Sequence, residues 1–397
     1  MWLALDDTDS IEGGCTSKIF HDLLLEIEPF CEIIDSRLVR LWPFAPQRTR
    51  GNAAFCCHLS VYDEDLFFKK VQSYWNEKIE PVKGVIGDSH HSDRPQHPAD
   101  PGLVIFAEQP HSSWYYKGVR QVVSLDELPT PLLQLGGNGR IGATCAAAWP
   151  AEKYTWECIA WKGETSRAIC EPTLEQISAF DGLFLTTHSK TGKQLVSPKG
   201  KSPVLFGIRS LNETSCVQAC HILLEAERTS KHEGWRLFRT NQATNDHIVD
   251  TIRLEVERIE VTKNGHVIIQ CLNNLTAKVF YESGTMNRHA KHLVAKDIFS
   301  VRGLIDSNKI IHVENLRFER LVPRRDGRLM CATCSRRMKS MGAGQRLRCP
   351  QCKSTAERGY QLVDSDLPVN TWLEPPDDQR RHLTTPLNKQ FFDYESR

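Results

Sequence analysis

No apolar run in this 397-residue chain is long enough to cross a bilayer. The acids directly after Leu5 also argue against a secretory leader in the opening residues. Net charge is nearly absent: 50 Lys and Arg against 49 Asp and Glu leave +1, so any polyanion partner must be argued from local patches. A Walker phosphate loop is missing, because Lys193 follows Gly192 without the required earlier glycine. A dinucleotide fingerprint is missing too, despite a literal GxGxxG from Gly137 to Gly142. Pro129 and Pro131 spoil the strand before it, and no acid stands about twenty residues on. The helix start near Ile141 is left either to face a phosphate or to pack closely. The 14 cysteines are scattered apart from two CxxC pairs, which points to metal ligation in a reducing cytoplasm rather than to disulfides.

What the chain does have begins at its start. Trp2 to Leu5 is a short apolar run that predicts a buried strand. It ends in Asp6, Asp7 and Asp9, three carboxylates that repel one another unless a cation stands between them. Gly13 and Gly14 allow a tight turn, and Thr16 or Ser17 is expected to cap a helix carrying Phe20, Leu23, Leu24 and Ile27 on its inner face. Clustered carboxylates suit a hard cation such as Mg²⁺, and a helix start offers N–H groups to phosphate. A solvated acidic turn is the plainer reading.

Strands are expected at 32–41 and 53–59. Between them Arg48, Arg50, Gly51 and Asn52 form a basic loop that could hold an anion. A helix follows at 64–80 and a strand at 103–107. From Tyr154 onward, strand–helix–strand–strand–helix–strand order predicts a two-layer ferredoxin-like α+β domain. The run from Phe238 to His247 is dense in donors and acceptors. It reads either as a linker or as a polar substrate site built on Arg239, Asn241, Gln242 and Asp246. Five short strand patterns over 250–320, with a helix near 287–293, suit a small OB barrel.

Cys331 and Cys334, then Cys349 and Cys352, are two knuckles separated by 14 residues, the set a structural Zn²⁺ takes in a zinc ribbon. Arg336, Arg337, Arg346 and Arg348 lie around them, and Arg380 and Arg381 follow in the tail. Such density is expected of a nucleic-acid surface, where phosphate neutralisation supplies affinity.

Taken together, Leu5 to Ser10 (LDDTDS) with Gly14-Cys15-Thr16, Arg48 to Asn52 (RTRGN), Tyr154 to Ala160, Leu205 to Arg209, Phe238 to Gln242 and Arg380 to Leu383 resemble the archaeal isoleucine-tRNA 2-agmatinylcytidine synthetase (TiaS) family over nearly the whole chain. The resemblance implies an α+β multidomain protein. Its expected parts are a kinase-like α/β domain at 1–132, a ferredoxin-like domain at 133–245, an OB-fold β-barrel at 246–322, a zinc ribbon at 323–362 and a tail at 363–397. It implies ATP-dependent attachment of agmatine to C2 of the wobble cytidine of an isoleucine tRNA with a CAU anticodon, which switches decoding from AUG to AUA. The expected cofactors are ATP, Mg²⁺ and Zn²⁺, with no membrane and no obligate protein partner.

Within that picture Asp6, Asp7, Asp9 and Thr16 are the catalytic residues, Thr16 matching a residue the family phosphorylates. Gly13, Gly14, Arg48, Arg50 and Asn52 join Asp7, Asp9 and Thr16 in holding the nucleotide. One departure is Asn245, where the family pattern has an acid. The competing readings are a non-catalytic tRNA-binding protein and a metal-dependent phosphoesterase.

Overall fold

The computed structural model describes residues 1–9, 14–45, 52–84, 97–198 and 202–388. The chain divides into two compact units. One comprises Met1–Val249, Leu304–Ser307 and Pro376–Arg397, and the other Asp250–Gly303 and Asn308–Pro375. Among the described residues no helix is long and apolar enough to cross a membrane.

The first unit is built on one sheet. Its elements are β1 (Trp2–Asp6), α1 (Thr16–Ile27), β2 (Cys31–Arg40), β3 (Ala53–Val61), α2 (Glu64–Tyr74), β4 (Gly102–Phe106), α3 (Ser113–Arg120), β5 (Leu133–Gly136) and α4 (Gly139–Ala147). Then come β6 (Thr155–Lys162), α5 (Glu171–Ser178), β7 (Leu183–Phe184), β8 (Val204–Ser210), α6 (Glu213–Glu225) and β9 (His232–Thr240). The nine strands run in the order β5-β4-β1-β3-β2-β9-β6-β8-β7. The join is a parallel pairing of β2 with β9, Arg37 opposite Arg239 and Leu38 opposite Thr240. The expected run Phe238 to His247 is therefore strand as far as Thr240, and the four strands of the second half stand in the order β9-β6-β8-β7.

β1 is apolar from Trp2 to Leu5 because both of its faces are covered. Leu3 and Leu5 pack with Phe20, Leu23, Leu24 and Ile27 of α1 and with Phe67 and Val71 of α2. Trp2 and Ala4 pack on the other face with Tyr115 and Val119 of α3 and with the alanines of α4. β6 is likewise covered twice, with Cys158 and Ala160 beside α5 and α6, and Ile159 and Trp161 in the core that holds α1. The Trp161 indole N–H donates to Ser17 Oγ at 3.0 Å, tying α1 to the second half of the sheet.

Of the two readings left open for the start of α4, close packing is what the structure has. A side chain on Gly102 would put its Cβ 1.9 Å from the Arg140 nitrogen, and one on Gly142 would put it 1.8 Å from Asp6 Oδ2. Only glycine lets this helix lie so near β1 and β4.

The second unit holds a five-stranded barrel of β10 (Ile252–Val261), β11 (Val267–Cys271), β12 (Thr276–Val279), β13 (Ile298–Ile305) and β14 (Ile310–Arg320), with α7 (Thr285–Ala290) between β12 and β13. Parallel pairing of β12 with β14 closes it, Thr276 opposite Ile310, and a bulge between Val256 and Arg258 bends β10. Alternate residues such as Val267, Ile269 and Cys271 fill the interior. Beyond it come β15 (Arg324–Arg328), then β16 (Lys339–Ser340), β17 (Leu347–Arg348) and β18 (Thr355–Ala356) as a small sheet, then β19 (Tyr360–Val363) paired with β15. Finally β20 (Trp372–Leu373) adds to β14.

Candidate active site

The acidic turn forms where β1 runs out of partners. Asp6 pairs with Gly102 as the last residue of the strand, and Asp7 turns the chain with φ 59°, a left-handed conformation that aspartate tolerates better than most residues. Asp6 Oδ1 accepts the Asp7 N–H at 2.7 Å. Burial, joined by the neighbouring charges of Asp7 and Asp9, lifts the Asp6 carboxyl well above its ordinary pKa, against the pull of that N–H. Asp7 Oδ2 accepts the Asp100 N–H at 3.0 Å. Burial, with Asp9 and Asp100 adding and the Asp100 amide opposing, pushes Asp7 up to about 7.

Asp100 stands two residues before β4. Its carboxylate accepts the Asn138 N–H at 2.7 Å ahead of α4 and pairs with Lys83 at 3.2 Å.

Neither Thr16 nor Ser17 caps α1, contrary to expectation. Cys15 is the residue before the helix, and no side chain hydrogen-bonds to the first turn as a cap. Cys15 Sγ instead lies 2.9 Å from Ser17 Oγ, a partnership that leaves Ser17 turned inward. Thr16 is buried as the first helical residue, its Oγ1 3.4 Å from the Thr8 N–H. Gly14 takes φ 74° in the turn before it. Gly13, Arg48 and Arg50 lie outside the described residues; Asn52 lies within them, donating through Nδ2 to the Trp42 carbonyl at 2.7 Å.

Asp6, Asp7, Asp9, Thr16 and Asn52 all line one cavity of about 1180 Å³. It has a second chemical character as well. Glu157 of β6, Arg40 of β2 and Arg209 of β8 line it, with Arg380 and His382 from the C-terminal segment. Glu157 is 3% exposed and meets Arg209 Nε at 3.4 Å and Arg40 at 3.9 Å, and Gln242 Nε2 donates to it. The Arg40 charge, then burial and Arg209, drive His382 well below its ordinary pKa, so it is neutral at neutral pH. Sequence reasoning assigned no role to Arg40, Glu157 or Arg209. The available signal was an acid inside the otherwise buried strand β6, which demands a partner.

The proposed substrate set is placed differently. Arg239 is not among the residues that line the cavity: it pairs with Asp35 at 3.5 Å and stacks on Tyr154 at 4.5 Å. Asn241 is fully buried, accepting the Arg40 N–H at 2.7 Å while donating to the Arg40 carbonyl and to Tyr115 Oη, both at 2.9 Å. Asp246 accepts from Tyr115 Oη at 2.7 Å, and burial raises its carboxyl pKa. Of the four, Gln242 comes nearest the cavity, through Glu157.

Arg380 also departs from expectation. Its side chain is 2% exposed and pairs with Asp377 at 3.3 Å, so it is no surface contact for RNA. Arg381 stacks over Phe44 at 4.6 Å.

In the second unit, Cys331, Cys334, Cys349 and Cys352 offer sulfurs that all lie within 4.8 Å of one another, a closed set that fits one tetrahedral ion. The core around them is only Cys331, Met338, Leu347 and Cys349, too little to hold a fold without an added link. Arg336, Arg337, Arg346 and Arg348 are exposed around it, Arg346 paired with Glu357 at 2.6 Å. Arg324, by contrast, is committed to the buried Asp297 at 2.6 Å.

Two family models match consecutive parts of the chain, the TiaS TCKD domain over residues 2–137 and the TiaS FLD domain over residues 137–247. The chain belongs to the TiaS family. The isoleucine-tRNA 2-agmatinylcytidine synthetase TiaS of Methanopyrus kandleri is 28% identical, over 97% of this chain and 96% of its own length. The protein of the same name from Ignisphaera aggregans is 25% identical over 98% and 92%. Among solved structures, apo TiaS matches with TM-score 0.77 and 24% identity over 98% of this chain and 97% of that one. The complex of TiaS with its isoleucine tRNA and ATP matches with TM-score 0.80 and 24% identity over 100% and 98%. These two establish the TiaS fold for the chain. The order of cavity-bearing sheet, barrel and cysteine cluster is thus a TiaS order.

Proposed function

We propose that this chain is an isoleucine-tRNA 2-agmatinylcytidine synthetase, an ATP-dependent ligase that joins agmatine to C2 of the wobble cytidine in the CAU anticodon and so changes decoding from AUG to AUA. The observation that carries the reading is the cavity's double character, acids with Thr16 in one part and buried guanidiniums in another, in a chain aligned end to end with such synthetases. The cytosine C2 oxygen is a poor leaving group until it is phosphorylated; the primary amine of agmatine can then displace it as phosphate. The transfer relies on positioning and charge neutralisation.

Asp6, Asp7 and Asp9 fit Mg²⁺, since two of them are held away from their ionised state by burial and by one another. The ion, when bound, neutralises phosphate charge. Asp7 is held in place by the Asp100 amide, and Thr16 presents its hydroxyl from the first turn of α1. Gly14 and Asn52, with Gly13, Arg48 and Arg50, complete the nucleotide site. Gln242 steadies Glu157 in the guanidinium-lined part of the cavity.

The finer domain assignments belong to the same proposal: a kinase-like α/β domain, a ferredoxin-like domain, whose strand order β9-β6-β8-β7 supports that name, an OB fold and a zinc ribbon. Zn²⁺ is assigned to the four cysteines and RNA phosphate to Arg336, Arg337, Arg346 and Arg348. ATP consumption measured with and without agmatine and the CAU-anticodon isoleucine tRNA tests the function. Consumption that needs the tRNA, with 2-agmatinylcytidine in the product, is expected. Hydrolysis indifferent to both substrates would make the chain a phosphoesterase, and none at all a binding protein.

A further inference from the structure

The C-terminal segment reaches the cavity through a clamp that the sequence does not announce. The Ala243 N–H donates to the His382 carbonyl at 2.8 Å and the Asn245 N–H to the Leu383 carbonyl at 2.9 Å. The side chain of Asn245 then grips Thr385 from both directions. Its Nδ2 donates to Thr385 Oγ1 at 2.7 Å, and its Oδ1 accepts the Thr385 N–H at 2.8 Å. Thr385 Oγ1 spends its one proton on the Ala243 carbonyl. The group facing that hydroxyl from position 245 must therefore be a donor. An amide supplies one and an ionised carboxylate cannot. Ala243 and Asn245 both take left-handed φ values, 57° and 60°, a conformation that costs an alanine energy and persists only where surroundings impose it.

What the clamp delivers is Arg380 and His382, both in the cavity wall with Arg40 and Arg209. We propose that Asn245 is a positioning residue for the reaction, seating segment 380–385 so that Arg380, with Arg40 and Arg209, meets the oxygens of the phosphoryl group carried on the base. This rests on the synthetase reading above. When the amine adds at C2, the C2–O bond breaks with its electron pair on the phosphate oxygen, and the amine's proton ends on the departing phosphate. The guanidiniums neutralise the charge gathering on that phosphate, which is where fixed cations accelerate a reaction.

The test uses the full chain with the CAU-anticodon isoleucine tRNA, ATP and agmatine, and two variants, Asn245→Asp and Arg380→Gln. Asn245→Asp is expected to lower kcat roughly tenfold at about pH 8 while KM for ATP stays within about twofold. Measured against the unsubstituted chain at each pH, that defect should shrink toward about pH 5.5, because burial at this position raises the carboxyl's pKa and its protonated form regains a donor for Thr385. Arg380→Gln should lower kcat by a similar factor with no such recovery, and Arg380→Lys should restore part of it. An Asn245→Asp defect that ignores pH, or no defect, overturns the positioning role. Weakened ATP binding in Arg380→Gln with kcat intact would assign that arginine to the nucleotide's own phosphates and likewise end the proposal. An unsubstituted chain that forms no 2-agmatinylcytidine would instead defeat the functional reading itself.

Discussion

Two polar stretches leave strands of the same sheet, Asp6 to Asp9 after β1 and Asn241 to Asp246 after β9, and they are opposites. In the second, Asn241 exchanges hydrogen bonds with Arg40 and Tyr115, Asn245 with Thr385, and Asp246 with Tyr115. In the first, the carboxylates of Asp6 and Asp7 receive one backbone amide each and otherwise face like charge and a cavity. Polarity in a sequence therefore says little until its partners are counted. A stretch whose groups satisfy one another holds the fold, whereas one left with surplus charge is waiting for a ligand.

The sharpest way to break this contrast is Asp7→Ala. ATP turnover should fall by a factor equivalent to several kcal/mol of barrier, roughly 4. Urea unfolding should show only a small change in stability, since relief of charge repulsion offsets the lost acceptor for the Asp100 N–H and the cost of an alanine at φ 59°. If turnover survives, the acidic turn is no active site.

Next in size is Asn241→Ala. It strands the N–H and carbonyl of Arg40 and takes one donor from the Tyr115 hydroxyl, which keeps its bond to Asp246, and should cost about 2–4 kcal/mol in the same unfolding measurement. A neutral result would make the second stretch as dispensable as a linker.

A third region sharpens the rule, because it sets four clustered sulfurs among exposed arginines. Metal analysis should find one zinc per chain, and Cys349→Ser should lose it and weaken tRNA binding while ATP binding holds. Zinc-free native protein would contradict this. Neutralising Arg336 and Arg337 together should reduce the log–log salt slope of tRNA binding by about 2 units. An unchanged slope would place the RNA surface elsewhere.

The smallest effect concerns His21, a buried polar group that is satisfied. Burial first and then the Arg236 charge lower its pKa to about 4. The unfolded chain therefore binds the extra proton more readily between pH 6.5 and 4. Stability tied to this group is intact above 6.5 and is lost as pH falls toward 4. His21→Gln should flatten that part of the stability–pH curve, and an unaltered curve would refute the assignment.

How much was legible follows the same division. β1, α1 and the barrel strands could be read because burial imprints its period on apolar residues, as in Val267, Ile269 and Cys271. The cysteine set was legible because metal ligation needs fixed spacing in a short stretch. The cap on α1 was not, since Thr16, Ser17 and Cys15 are all small and polar, and only the turn's path decides which stands first. Glu157, Arg209 and Arg380 were illegible as a group because they come from β6, β8 and the C-terminal segment, and nothing local links them. Asn241 was misplaced for the opposite reason, its conspicuous chemistry serving a backbone 201 residues away.

The pairing of β2 with β9 carries a consequence for how such a protein can be divided. The two family models meet at residue 137, yet α4, just beyond that point, fills the space beside Asp6, and β9 covers the open side of β2. A fragment ending at 137 would expose an unpaired β edge and strip the acidic turn of its packing, an invitation to aggregate. A chimaera joined at residue 137 would set side chains from two relatives against each other across one continuous sheet, so the two halves are expected to work only as a matched pair.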